Sequence, residues 1–192
     1  MSASKLILAS ASPRRVQMMR EAGYTFEIMS PDVEEAHDPA LTCDALTIEN
    51  ARRKALEIAR QHPEATVIAA DTLVYIDGEP LAKPADLNEG RDMLRKLSGR
   101  THQVCTGVAI SRGHEVETFA VITDVTFRHL TDELVTEYHS KVHVLDKAGG
   151  YAVQEQGGLI IERVDGSLTN VIGLPMDEVK TALASRGLFA TR

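Results

Sequence analysis

Tryptophan is absent from this chain, and the aromatic complement is four tyrosines and four phenylalanines. Most of the packing therefore falls to aliphatic side chains. Cysteine is scarce: Cys43 and Cys105 stand far apart, with no C-x-x-C pair and no Cys/His spacing. That argues against a zinc site and a disulfide scaffold, and it fits a reducing, cytoplasmic setting. Positive charge is in deficit, with 21 Lys and Arg against 28 Asp and Glu and a net charge of −7. A nucleic-acid polymer would need a basic face, so it is not an expected partner, whereas one small anion needs only a local group of cations. No apolar run reaches the length of a membrane span, and Met1 to Lys5 lacks the basic start and apolar core of a signal peptide. There is no G-x-S-x-G elbow, no Walker A loop and no G-x-G-x-x-G turn, and the seven histidines show no metal-ligand spacing. What is present is ordinary for a folded domain. Of 192 residues, 43% are apolar and 26% charged, enough for one sizeable domain or two small lobes.

The pattern alternates between strand and helix. Lys5 to Ala9 reads as a strand, Ser12 as a helix N-cap with Pro13 at the first helical position, and Gly23 as the stop. Thr25 to Met29 reads as a second strand. An acidic stretch with Asp32, Glu34, Glu35 and Asp38, broken by Pro31 and Pro39, leads to a helix over Asp44 to Gln61. Thr66 to Ile76 is a β-branched run closed by Asp77-Gly78. Asp86 and Glu89 form a capping box for a helix to Leu97, which Ser98-Gly99 ends. His102 to Ser111 and Glu115 to Arg128 read as a hairpin about Gly113. Thr131 caps a helix to Ser140, and Leu145 to Gln156 carries no clear element. Leu159 to Val164 and Thr169 to Ile172 read as strands joined by Asp165-Gly166, before a final helix from Pro175 to Arg186. Interspersed elements together with hairpins imply an α/β fold with a mixed sheet. One domain over 1–192 is expected, with the breaks near Gly99 and Gly113 as places where two lobes could divide.

Several residues could carry chemistry. Arg14 and Arg15 sit in the first helical turn, where cations oppose the helix dipole. With Ser10, Ser12 and free backbone N–H groups they would suit a phosphate, although a capped helix with solvent-facing arginines reads equally from the pattern. Asp71 interrupts an apolar run, a costly place for a carboxylate unless it is paired, metal-bound or at a strand end that starts a turn. Thr72 follows it. The acidic stretch offers oxygen ligands for a hard cation, or is simply a solvated loop. Lys54 lies among Arg52 and Arg53 on a helix, and Lys83 precedes Pro84 in an extended segment; both could reach a phosphate or lie at the surface. Gln154 follows Gly149-Gly150-Tyr151, and its amide could read the edge of a base or belong to an ordinary turn.

Taken as an ordered set, these residues resemble the Maf family of nucleoside triphosphate pyrophosphatases. The resemblance is carried by Leu8-Ala9-Ser10 with Ser12-Pro13-Arg14-Arg15, Glu35, Ala51 to Ala55 with Lys54, and Ala70-Asp71-Thr72. It continues through Lys83-Pro84, Lys96 to Gly99, His102 to Val104, Asp146 to Gly149 and Gly173 to Pro175. It implies an elongated mixed sheet with flanking helices and a central cleft, akin to inosine triphosphate pyrophosphatases and often a homodimer. It also implies a cytoplasmic hydrolase that takes dTTP or UTP, with modified pyrimidine nucleotides as further candidates, to the monophosphate and pyrophosphate. On that likeness Asp71 is the general base, and Arg14, Thr72 and Gln154 set base choice. Ser10, Arg14, Arg15, Lys54 and Lys83 meet the phosphates, and Glu35 and Asp71 hold Mg²⁺ or Mn²⁺. Asp146 to Gln154 resembles the dTTP/UTP branch more than the 7-methyl-GTP branch. Gly150 and Leu168 depart from that branch, where alanine and tyrosine are more usual. Two other readings are a pyrophosphatase for a purine or modified nucleotide such as 7-methyl-GTP, and a nucleotide-binding regulator of septum formation without turnover.

Overall fold

A computed structural model describes residues 5–38 and 40–191. Met1 to Ser4, part of the stretch read above as lacking signal-peptide features, lie outside them, as do Pro39 and Arg192. In chain order the elements are β1 (Leu6–Ala9), α1 (Pro13–Glu21), β2 (Glu27–Met29), α2 (Cys43–Gln61), β3 (Thr66–Ile76) and β4 (Glu79–Leu81). There follow α3 (Leu87–Leu97), β5 (Thr101–Arg112), β6 (Glu115–Phe127), α4 (Asp132–Lys141), α5 (Gly157–Ile160), β7 (Ile161–Asp165), α6 (Leu168–Ile172) and α7 (Met176–Ala184). The strands hydrogen-bond in the order β2-β1-β3-β5-β6-β7, with β4 also on β3. The sheet is mixed, as expected: β1 runs parallel to β2 and β3, while β3–β4 and β6–β7 are antiparallel. Among the described residues no helix is long and apolar enough to cross a membrane.

The chain divides into two compact units. The first comprises Met1–Asp71, Thr106–Val121 and Gly173–Arg192. Its core sets Ala51, Ala55, Ala59 and Ile58 of α2 against Ile7, Ala9, Val67, Ala69 and Ala109 of the strands. Alanines at i, i+4 and i+8 form one face of the helix and leave little side chain between helix and sheet. Gly107 completes this close approach: a Cβ there would lie 2.3 Å from the Thr47 carbonyl carbon and 2.4 Å from the Ile48 nitrogen. Any side chain at that position would push α2 off the sheet.

The second unit comprises Thr72–Cys105 and Ile122–Ile172. Its core joins Val74, Ile76, Leu94, Leu97, Val104, Phe127, Tyr138, Tyr151 and Ile160. Asp86 caps α3 as read from the sequence, accepting from the N–H groups of Asn88 and Glu89. Glu89 closes on the Ala85 N–H rather than on that of Asp86. Thr131 caps α4 through the Leu134 N–H.

Three expectations are corrected here. Thr169 to Ile172 is not a strand but the turn of helix α6. Its β-branched residues favour a strand locally, but Ser167 starts a helical turn by accepting from the Asn170 N–H, and Asn170 is buried with its amide donating to Val104 O and Thr123 Oγ1. Leu159 and Ile160 belong to the short α5, so β7 begins only at Ile161. The second strand is also shorter than expected, starting at Glu27 rather than Thr25.

His102 is enclosed in the second core. Its Nε2 lies 2.7 Å from the Tyr151 hydroxyl, and its ring packs edge-on against Phe127 and Tyr151. Burial lowers its pKa to about 4. Above about pH 6.5 the ring is neutral in both folded and unfolded chains. Between there and about pH 4 only the unfolded chain takes up the proton, so stability falls as pH falls, by up to about 1.4 kcal/mol per pH unit. Urea unfolding across that range is expected to show this slope in the wild type and a flatter one in His102→Gln.

Candidate active site

The first unit gathers a charged cluster around the end of its stretch of β3. Asp71 is 6% exposed, in a strand whose neighbouring residues Ile68, Ala69 and Ala70 are fully buried. It is not left alone there. Lys54 Nζ lies 2.7 Å from Asp71 Oδ1 and 2.6 Å from Glu35 Oε1, so one ammonium bridges two carboxylates. Asn50 Nδ2 donates to Asp71 Oδ2 at 3.2 Å. Asn50 and Lys54 are four residues apart, hence in one row along α2, beside the Ala51 and Ala55 row that packs onto the sheet. Of the acidic loop, Glu35 turns toward Lys54, whereas Asp38 accepts from the Ala40 N–H.

The α1 end supplies the opposite charge. Pro13 opens the helix and no acidic residue lies in its first turn. Ser12 holds the N-cap position without a side-chain cap bond; instead Ser10 Oγ accepts from the Ser12 N–H at 3.2 Å. Arg15 is fixed by Nε donating to Gly173 O at 2.8 Å and Nη1 to Ser10 Oγ at 3.4 Å. Burial lowers the pKa of the Arg15 guanidinium and the Arg14 charge acts the same way, while Asp71 and Glu35 oppose both. Arg14, half-buried, is the next residue in the same turn. Ser10, Arg14, Arg15, Glu35, Lys54 and Asp71 are thus collected in one unit.

The remaining expected residues belong to the second unit. Thr72, half-buried, follows Asp71 directly in β3; Lys83 is exposed beyond β4; Gln154 is exposed in a turn after the Ala148–Gly150 3₁₀ segment. That segment is pinned by Lys147, whose buried ammonium donates to His143 O and Asp146 Oδ1, and by the Gly149 N–H donating to Ala82 O beside Lys83. Gly150 has φ +70, a conformation that glycine adopts without strain and alanine does not.

The Maf-like protein family model matches residues 5–186. The chain belongs to the Maf family. It is 48% identical to a dTTP/UTP pyrophosphatase of Akkermansia muciniphila, over 96% of this chain and 98% of the relative. It is 44% identical to one of Myxococcus xanthus, over 95% and 93%. Among solved structures, the Ham1 protein of Staphylococcus aureus superposes with a TM-score of 0.58 at 16% identity, over 95% of this chain and all of that one. A HAM1 protein from Coxiella burnetii gives 0.57. The Maf chain therefore shares its fold with Ham1 proteins.

Sequence reasoning passed over Asn50 and Gly107. Asn50 gave one signal, a polar residue one turn before Lys54 within the alanine stripe. Gly107 gave none, because its need is a contact with a helix far away in the chain.

Oxygen donors suit a hard divalent ion, and Glu35 and Asp71 share one cationic head, so this pair of carboxylates could hold such an ion, although no group of three or more candidate ligands is gathered among the described residues. Lys54→Met leaves Asp71 buried with Asn50 as its remaining bonded donor in the cluster. Loss of such a partner is expected to cost about 3 kcal/mol of stability by denaturant titration, and adding Asp71→Asn should recover at least half. A loss near zero would mean that the bridge does not hold Asp71.

Proposed function

We propose that this Maf protein is a cytoplasmic nucleoside triphosphate pyrophosphatase acting on dTTP and UTP. The observation that carries the reading is a buried aspartate, held by Lys54 and Asn50, in the field of an anchored arginine at a helix N-terminus. Relatives at 40–48% identity named dTTP/UTP pyrophosphatase support the choice of substrate.

The triphosphate is received by the Ser10 to Arg15 turn. Arg14 and Arg15 supply charge-assisted hydrogen bonds, and the dipole of α1 favours negative charge at the same place. Lys54 adds positive charge along the phosphates, and the family resemblance assigns Lys83 the same task. Glu35 and Asp71 would hold a divalent cation, Mg²⁺ or Mn²⁺, which lends Lewis-acid charge to the phosphate oxygens. Asp71 orients a water and takes its proton as the oxygen bonds to the α-phosphorus. The bond from the α-phosphorus to the bridging oxygen breaks, and its electron pair leaves with pyrophosphate in line. No covalent intermediate is needed.

Base choice is assigned to Arg14, Thr72 and Gln154. A pyrimidine with two carbonyls and an N3–H matches an amide and a hydroxyl. The cytosine amino group reverses one of these bonds, and an unpaired polar group costs about 1–3 kcal/mol. The working protein is proposed to be a homodimer.

The test is a nucleotide panel with Mg²⁺ and with Mn²⁺, read by pyrophosphate release. dTTP and UTP are expected to be cleaved to the monophosphates, with CTP and the purine nucleotides at least about tenfold slower. Asp71→Asn is expected to keep the fold by circular dichroism and lose at least about a hundredfold in turnover. Nucleotide binding without any turnover in the wild type would instead indicate a regulator, and preference for 7-methyl-GTP or another purine nucleotide would overturn the assigned base.

A further inference from the structure

We infer that Asn50 is a positioning residue whose carboxamide locks the Glu35 loop to Asp71, so that the two carboxylates are presented as a fixed pair. The inference rests on the hydrolase reading of this cluster. Asn50 is 3% exposed. Its Oδ1 accepts from the Ala36 N–H at 2.7 Å, and its Nδ2 donates to Ala36 O at 3.3 Å and to Asp71 Oδ2 at 3.2 Å. A primary amide has two donors and an acceptor oxygen, and here both kinds are engaged. With them Asn50 reads the backbone of the residue after Glu35 on both its polar groups, as a neighbouring strand would.

The loop has no such neighbour of its own, since 30–38 carries neither helix nor strand. Two side chains of α2 tie it to Asp71, and they differ in kind. Lys54 is long and binds by charge, so a phosphate can draw it away. Asn50 is short, buried and bound by directional hydrogen bonds, and it keeps the loop in place whatever Lys54 does. Aspartate lacks the donors, leucine lacks donor and acceptor, and serine lacks the reach.

The test compares wild type with Asn50→Leu in the full chain. Hydrogen exchange at the Ala36 amide is expected to become at least about tenfold faster, since its acceptor is gone. The Mg²⁺ concentration for half-maximal pyrophosphate release is expected to rise about tenfold, while the nucleotide KM at saturating metal stays within about twofold. A loss of folded protein would lower the rate but leave that metal midpoint where it is. Mn²⁺ titration by electron paramagnetic resonance gives the same affinity without turnover. In a Glu35→Gln background the added effect of Asn50→Leu on the midpoint should shrink to within about twofold, because the anchored ligand is already lost. If Asn50→Leu does not fold, Asn50→Ser decides on the same readings. A folded variant with unchanged Ala36 exchange and unchanged metal midpoint overturns the inference. A wild type that cleaves no nucleotide would sink the hydrolase reading, while the exchange and Mn²⁺ measurements still decide whether Asn50 anchors the loop.

Discussion

Lys54 places one ammonium between Glu35 and Asp71, and the first unit is arranged so that this bridge can exist next to a buried strand. A carboxylate such as Asp71, at 6% exposure, is tolerable only with its oxygens engaged. Lys54 engages one oxygen and Asn50 the other. Both come from α2, so the helix must lie close to β3. The alanine stripe provides that closeness on the helix side, and Gly107 provides it on the sheet side. A packing constraint thus becomes an electrostatic one: small residues let a helix bring a cation and an amide within bonding distance of an acid on the sheet.

The same unit brings positive charge to that acid from a second direction. Arg15 is held at the start of α1 by Gly173 and Ser10, and its charge interacts with Asp71 and Glu35. An arginine tied at its guanidinium loses little freedom when an anion arrives, which is the condition for tight, oriented phosphate binding. Within one unit, then, acids that could hold a cation or take a proton lie beside bases that could hold a triphosphate.

Much of this was legible in the sequence. β3 was read at its observed limits, 66–76, because a β-branched run ended by Asp77-Gly78 leaves little choice. The caps Asp86 and Thr131 were legible because a cap is a local device. α6 was not, because Thr169, Val171 and Ile172 prefer a strand, and the helical turn is imposed by Ser167 and by the reach of Asn170 to Thr123 and Val104. In the site, Asp71 stood out as a charge inside an apolar run, and Lys54 and Glu35 by their order in the family pattern. Asn50, between Glu49 and the Arg52-Arg53 pair, was passed over, because its burial depends on which way α2 faces. Gly107 was silent for the same reason: its role is defined by Thr47 and Ile48, about sixty residues earlier in the sequence.

The central claim is that water held at Asp71 attacks the α-phosphorus. Turnover of UTP in ¹⁸O-labelled water, with the products resolved by mass spectrometry, tests it directly. The account predicts one ¹⁸O atom in the nucleoside monophosphate and none in pyrophosphate. Label in pyrophosphate, or release of orthophosphate carrying it, would place the attack on another phosphorus and contradict the account.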